Sequence, residues 1–272
     1  MNAFEALRKG WELAKNLIPL MVVVMIFNFI SGGVLLGVMG VSPDANKISQ
    51  VSGLVVGLLF VMMIAWGYLE GGIFSGIQSQ IKTGQFQLNA LPANSGKFFL
   101  RLITISILAG VIALIIWLLG AVLTGIIVSL GSNKNVFFNI MGAIIMSIAV
   151  IASIIISIPL LSSHYIAVVE DTGPISAIKK GFFLFRENAG RLFLLFLLLG
   201  IIFIAASSVT NLIGILLGKV RAAGVIIAVV NLILTSIVNA AIGIFSSCAI
   251  MSLILSLSST GTDTISIETP GA

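Results

Sequence analysis

Few residues in this chain are equipped to do chemistry. There is one histidine, His164, and one cysteine, Cys248. A protein zinc centre takes three or four nitrogen or sulfur ligands, so no metal site is expected, and no cofactor. Glu170 and Asp171 lie close to His164 in sequence. A lone acid–base role for His164 with Glu170 is the enzymatic option they leave, and a polar cap near the end of a membrane span is the plainer one. Ser75 sits in Gly72-Ile73-Phe74-Ser75-Gly76. A serine hydrolase needs a facing histidine and an oxyanion hole, and the surroundings of Ser75 match no such motif. Asp44, Asp171 and Asp263 fall outside the long apolar runs, so a pair of acids at depth is not expected. No glycine-rich phosphate loop ending in Lys-Ser/Thr is present. On these residues the protein is expected not to be an enzyme.

The polar residues inside apolar runs are the other lead. Glu70 ends a run within Tyr68-Leu69-Glu70-Gly71-Gly72. A carboxylate at the bilayer centre costs about 3 kcal/mol on insertion scales, so real depth would point to ion or proton coupling. An interfacial acid paired with Lys97 or Arg101 is the simpler expectation. Asn231, Thr235 and Asn239 recur every four residues, on one face of a helix, and Asn28 and Asn211 lie in other runs. Such side chains either line a solute path or bond helices together, the latter worth about 0.6–2 kcal/mol each. Four Gly-xxx-Gly pairs, Gly33/Gly37, Gly53/Gly57, Gly72/Gly76 and Gly214/Gly218, would let helices approach closely.

The elements that must position these residues follow from composition. Of 272 residues, 59% are hydrophobic and 8% charged. A soluble domain carries about 25% charged residues, so this chain lacks the charge to coat a surface in water. It is also too apolar for disorder. A helix needs about 20 apolar residues to cross about 30 Å of hydrocarbon. Six runs qualify: 17–41, 51–69, 102–130, 136–169, 192–218 and 222–257. They are apolar all round, unlike the alternating strands of a membrane barrel. The expected fold is therefore all-α, one polytopic bundle of six transmembrane helices spanning 1–257. Pro159 is a candidate kink or stop. Residues 258–272, rich in Ser, Thr and Gly, read as a disordered tail. The first run is too long for the apolar region of a cleaved signal peptide.

The formal net charge is +5. Basic residues are retained on the cytoplasmic side of a bilayer, which accounts for the excess without nucleic acid. One side holds Arg8, Lys9, Lys15, Lys82, Lys97, Arg101, Lys179, Lys180, Arg186 and Arg191. The other holds Lys47, Lys134, Lys219 and Arg221. The bias places both termini in the cytoplasm and the protein in the cell membrane.

An internal repeat emerges at an offset of 171 residues. It pairs Ala6-Leu7-Arg8-Lys9-Gly10-Trp11 with Ala177-Ile178-Lys179-Lys180-Gly181-Phe182. Gly96-Lys97-Phe98-Phe99 compares with Gly190-Arg191-Leu192-Phe193. The reading is three units, each a cytoplasmic elbow helix plus two spans, the middle one most diverged. In the first elbow, Phe4, Leu7, Trp11 and Ala14 share one side, and Glu5–Lys9 and Arg8–Glu12 are spaced for ion pairs. In the second, Ile175, Ile178, Phe182 and Phe185 form the apolar line. Such helices are expected in the membrane interface, apolar face down. Trp11, Lys179, Lys180 and Phe182 are the residues expected to meet it.

The stretch Pro159-Leu160-Leu161, then Val168-Val169-Glu170-Asp171-Thr172-Gly173-Pro174 through Lys180-Gly181-Phe182 to Arg191-Leu192-Phe193, resembles a signature of a broad group of six-span membrane proteins. That group includes the membrane domain of some glycerophosphoryl diester phosphodiesterases and related bacterial and archaeal families. Gly67-Tyr68-Leu69-Glu70-Gly71-Gly72 through Lys97-Phe98-Phe99 is similar to its middle segment. Many members carry Ser where Gly181 stands. The resemblance implies six helices and cytoplasmic elbows, and it implies no activity. The expected function is a non-enzymatic scaffold or accessory module acting on lipids or partner proteins. The alternative is a transporter or channel for a small or amphiphilic solute, using Asn28, Asn231, Thr235 and Asn239 with Glu70 as coupling acid. Membrane lipids, and a membrane-protein partner or second copy, are the expected partners.

Overall fold

The computed structural model describes residues 1–40, 48–130, 136–218 and 224–262. Among them there is no strand. The helices are α1 (Ala3–Lys15), α2 (Ile18–Gly40), α3 (Ile48–Thr83), α4 (Leu91–Leu130), α5 (Val136–Val169), α6 (Pro174–Gly218) and α7 (Gly224–Thr262), with a 3-10 turn at Leu88–Ala90. Five segments are long and apolar enough to cross a membrane: Val55–Thr83, Leu88–Ser129, Val136–Val169, Pro174–Leu216 and Ile226–Ser258. A sixth results if α1 and the Ile18–Val34 part of α2, bent by 85° at their junction, form one span.

The helices overrun the expected spans. α3 does not end at Glu70 but continues to Thr83, and α4 begins at Leu91 rather than near 102. A helix of 40 residues is about 60 Å long at the standard rise, twice the hydrocarbon thickness. The reason is that Glu70, Lys97 and Arg101 end an apolar run without ending a helix. A charged side chain leaves the backbone ladder intact, and a helix ends where a left-handed residue or a cap takes over its terminal groups. α5 likewise runs through Pro159 to Val169. α7 extends to Thr262, past the expected start of an irregular tail at Ser258. Asp44, Lys47, Lys134, Lys219, Arg221 and residues 263–272 lie outside the described residues.

The chain divides into two compact units, Met1–Phe99 with Leu194–Ala272, and Leu100–Phe193. In the first, α1 and α2 both pack along α7, and α3 touches both α2 and α7. α1 opens with Asn2, whose side chain accepts from the Glu5 N–H at 2.8 Å, while the Glu5 carboxylate accepts from the Asn2 N–H at 3.0 Å. This reciprocal cap satisfies two otherwise unpaired donors. The bend that follows has its cause in Pro19. That residue has no N–H to continue the ladder, and its ring would clash with the carbonyl four residues back.

In the second unit, α4 and α5 form an antiparallel pair. A Cβ on Gly120 would lie 2.8 Å from that of Ala149, and one on Gly142 would touch Thr124 and Val128 at 3.1 and 3.0 Å. Thr124 Oγ1 donates to the Gly142 carbonyl at 3.3 Å. α5 ends in a Schellman turn. Thr172 N–H donates to Ala167 O and Asp171 N–H to Val168 O, with Asp171 left-handed at φ 51°. Gly173 and Pro174 follow and start α6. α6 is kinked at Asn188, where φ is −125° and ψ is 29°.

Candidate functional site

The first elbow, α1, is docked by its small residues. Ala3, Ala6, Gly10 and Ala14 are buried, and Ala6 has no exposure at all. A Cβ on Gly10 would come within 2.8 Å of both the Cβ and the backbone N of Ala249 in α7. Only glycine admits this approach. The large residues point elsewhere: Phe4 is 63% and Trp11 57% exposed. Leu7 is half-buried, so of the expected apolar line only Ala14 is in the packed face. The expected apolar line is thus divided between the two sides. The helix has a packed stripe of small side chains and a separate exposed set of large ones. Trp11 stands edge-on to Phe245, with ring centroids 6.2 Å apart. The Lys15 ammonium lies 5.2 Å over the Trp11 ring, and Arg8 and Lys9 are exposed.

The second elbow is the first part of α6, and it repeats this arrangement. Ala177 and Gly181, the counterparts of Ala6 and Gly10, are buried. A Cβ on Gly181 would collide with the Pro159 carbonyl and Ser163 Oγ of α5. Ile175, Phe182 and Phe183 are exposed, as are Lys179 and Lys180. Lys180 pairs with Glu170. Arg101 pairs with Asp171 at 2.5 Å, so Arg101 is committed to a different acid from the Glu70 that sequence suggested. Lys97 lies 4.9 Å over the Phe98 ring.

The middle repeat has no separate elbow. The chain turns at Gly84, φ 70°, and the 3-10 turn at Leu88–Ala90 leads into α4. Its first turns pack on α3 by the same device. A Cβ on Gly71 would meet Phe98 Cβ at 3.1 Å and Ser95 O at 3.2 Å, and one on Gly72 would meet Leu91 O at 2.9 Å. Tyr68 Oη donates to Pro92 O at 2.9 Å. In all three places, then, a helix start is set on the end of the helix paired with it through glycine.

His164, in α5, is 6% exposed. Its Nδ1 is 3.1 Å from the Leu160 carbonyl, an acceptor only, so Nδ1 carries the proton. Nε2 then accepts from Ser106 Oγ of α4 at 3.0 Å. Both ring nitrogens are used, and Glu170 is held by Lys180 instead. Beside this pair is a slot of about 280 Å³ between α4 and α5, lined among others by Ala109, Gly110, Ala113, Ser157 and His164. The sequence reading missed Ser106 and Gly110. Their signal was present in Ser106, Ala109, Gly110 and Ala113, small residues at helical spacing, but a run read only for length hides it.

The polar residues of the spans are not gathered in one place. Glu70 lies within α3, half-buried, and makes no hydrogen bond or ion pair among the described residues. Asn28 and Thr235 are half-buried and Asn239 is exposed. The face of α7 that packs is instead that of Ser236, Ala240 and Ile244. Asn231 lines an open pocket of about 610 Å³ with Asn211 and Gly214, and its buried Oδ1 has no hydrogen-bond partner. Ser75 is half-buried in α3 and Cys248 is buried. Among the described residues no three His, Cys, Asp or Glu side chains converge as metal ligands.

The fold defines an all-α, polytopic membrane protein whose helix starts are docked on neighbouring helix ends. No family model matches the chain, and no curated protein or solved structure is significantly similar to it.

Proposed function

We propose that the protein is a non-enzymatic scaffold or accessory module of the cell membrane that engages lipid through its two elbows, with both termini cytoplasmic. One observation carries this reading. Each elbow buries its Ala/Gly stripe on the bundle and leaves its aromatic and cationic residues outside: Phe4, Arg8, Lys9 and Trp11 in one, Ile175, Lys179, Phe182 and Phe183 in the other. Indole and phenyl rings flanked by Lys and Arg suit the boundary between acyl chains and anionic headgroups. Kinship with the six-span group belongs to this proposal, since the stretch that resembles it contains the second elbow.

The test uses the full chain in vesicles of phosphatidylcholine and phosphatidylglycerol. With Trp66→Phe and Trp117→Phe, Trp11 is the remaining indole. Brominated lipid should quench its fluorescence at a shallow depth. Unquenched, water-exposed emission would refute the reading.

A solute path is the second reading, and one feature favours it: the unsatisfied Asn231 Oδ1 in the pocket with Asn211. On that reading Asn231→Leu abolishes flux of the solute in a liposome assay.

A further inference from the structure

The slot between α4 and α5 is closed at both ends. At one end Gly120 and Ala149 bring the helices into contact. At the other, Ser106 and His164 join them by a hydrogen bond. Between these points α4 offers Ala109, Gly110 and Ala113, too small to fill the space opposite Ile156, Ser157 and Leu160. Gly110 faces open space, since a Cβ there would meet nothing within 4 Å.

The lining offers water little to bind. Ser153 Oγ donates to Ala149 O at 2.8 Å and Ser157 Oγ to Ile154 O at 2.7 Å, and both His164 nitrogens are occupied. A buried water needs two to four polar partners, and with the hydroxyl hydrogens and both ring nitrogens engaged only serine lone pairs remain among seven apolar lining residues. The slot lies within segments apolar enough to span a membrane, where the surrounding solvent is hydrocarbon.

We propose that this slot holds one acyl chain of a membrane phospholipid. The chain lies along α4 from Gly110 towards Ile116, and the glycerol ester sits at the Ser106–His164 end. The headgroup then falls near the Arg101–Asp171 ion pair, five residues and about 8 Å further along α4, at the polar end of the segment. Hydrocarbon gains little by leaving lipid for protein. Retention therefore comes from dispersion contacts with the slot walls and from the headgroup end. This inference rests on the lipid-module reading and adds a defined site to it.

The experiment is native mass spectrometry of the full chain purified with phosphatidylglycerol. Wild type should retain one lipid. Gly110→Leu fills the slot from an open position and replaces a poor helix former. It should lower retention about tenfold or more, whereas Val122→Leu, on an exposed part of α4, should not. Equal retention in wild type and Gly110→Leu overturns the proposal. Photo-crosslinking of wild type with a phosphatidylglycerol carrying a diazirine in its chain gives an independent check. Adducts should map to residues 109–116. Adducts spread evenly over the exposed helices, or a crosslink to a second copy from the slot, overturn it as well. If the slot fails while Trp11 is still quenched by brominated lipid, only the site is lost. If Trp11 is unquenched, the lipid-module reading fails with it.

Discussion

The two elbows are built from one pattern and joined to their spans differently. α1 is a separate helix, capped at Asn2 and turned by 85° from α2. The second elbow is continuous with its span in α6 and is only kinked, at Asn188. Yet Ala6 and Ala177, and Gly10 and Gly181, are buried alike, and Trp11 and Phe182 are exposed alike. The joint can therefore vary as long as the docking contact is kept. Where the first elbow relies on a cap and Pro19, the second relies on the Schellman turn at Asp171 and two ion pairs beside it.

The most forceful way to break this comparison is at the glycines. Gly10→Leu and Gly181→Leu each drive a side chain into a neighbouring helix. Overpacking costs about 1–3 kcal/mol, and backbone atoms of Ala249 and Pro159 stand in the way, so values near the top of that range are expected. The elbow should become accessible to limited proteolysis at Lys9 or Lys179, respectively. Intact protection in one variant and loss in the other would show that the two elbows are not equivalent.

A smaller effect is expected at the hydrogen bond that joins α4 and α5. Ser106→Ala leaves Nε2 of the buried His164 without a donor, which costs about 1–3 kcal/mol. Thermal denaturation in detergent should show the loss. An unchanged midpoint would mean that this bond contributes nothing to the second unit.

The smallest effect sharpens the comparison at the second elbow's own device. Asp171 holds a left-handed conformation that costs a non-glycine residue about 1–2 kcal/mol. Its ion pair with Arg101, 31% and 52% exposed, returns about 0–1 kcal/mol. Asp171→Gly should thus be neutral or slightly stabilising, whereas Asp171→Ala should lose the pair and keep the strain. Equal midpoints for the two variants would remove backbone strain from the account.

The helical, membrane-spanning character was legible because it depends only on summed apolarity over about 20 residues. The repeat was legible too, since Ala-x-x-x-Gly with a basic pair survives at a fixed offset. The face of the elbow that would pack was not. In water the large apolar residues Phe4 and Trp11 would be the ones to bury. Against lipid, which is as apolar as they are, the advantage passes to small residues that let backbones approach. The full length of the helices was not legible from the apolar runs either: Glu70 and Arg101 interrupt a run while their backbones continue the ladder. Ser106 was invisible because nothing in the sequence pairs it with a histidine 58 residues away.

Sequence alone determined that the chain is oily throughout, helical, and punctuated by basic helix starts, because transfer energy and periodicity are local properties that add along the chain. Tertiary structure decided which glycines meet which backbones, which acid Arg101 holds, and where α4 and α5 part to leave a slot. Those depend on distances between residues far apart in the chain, and no local sum contains them.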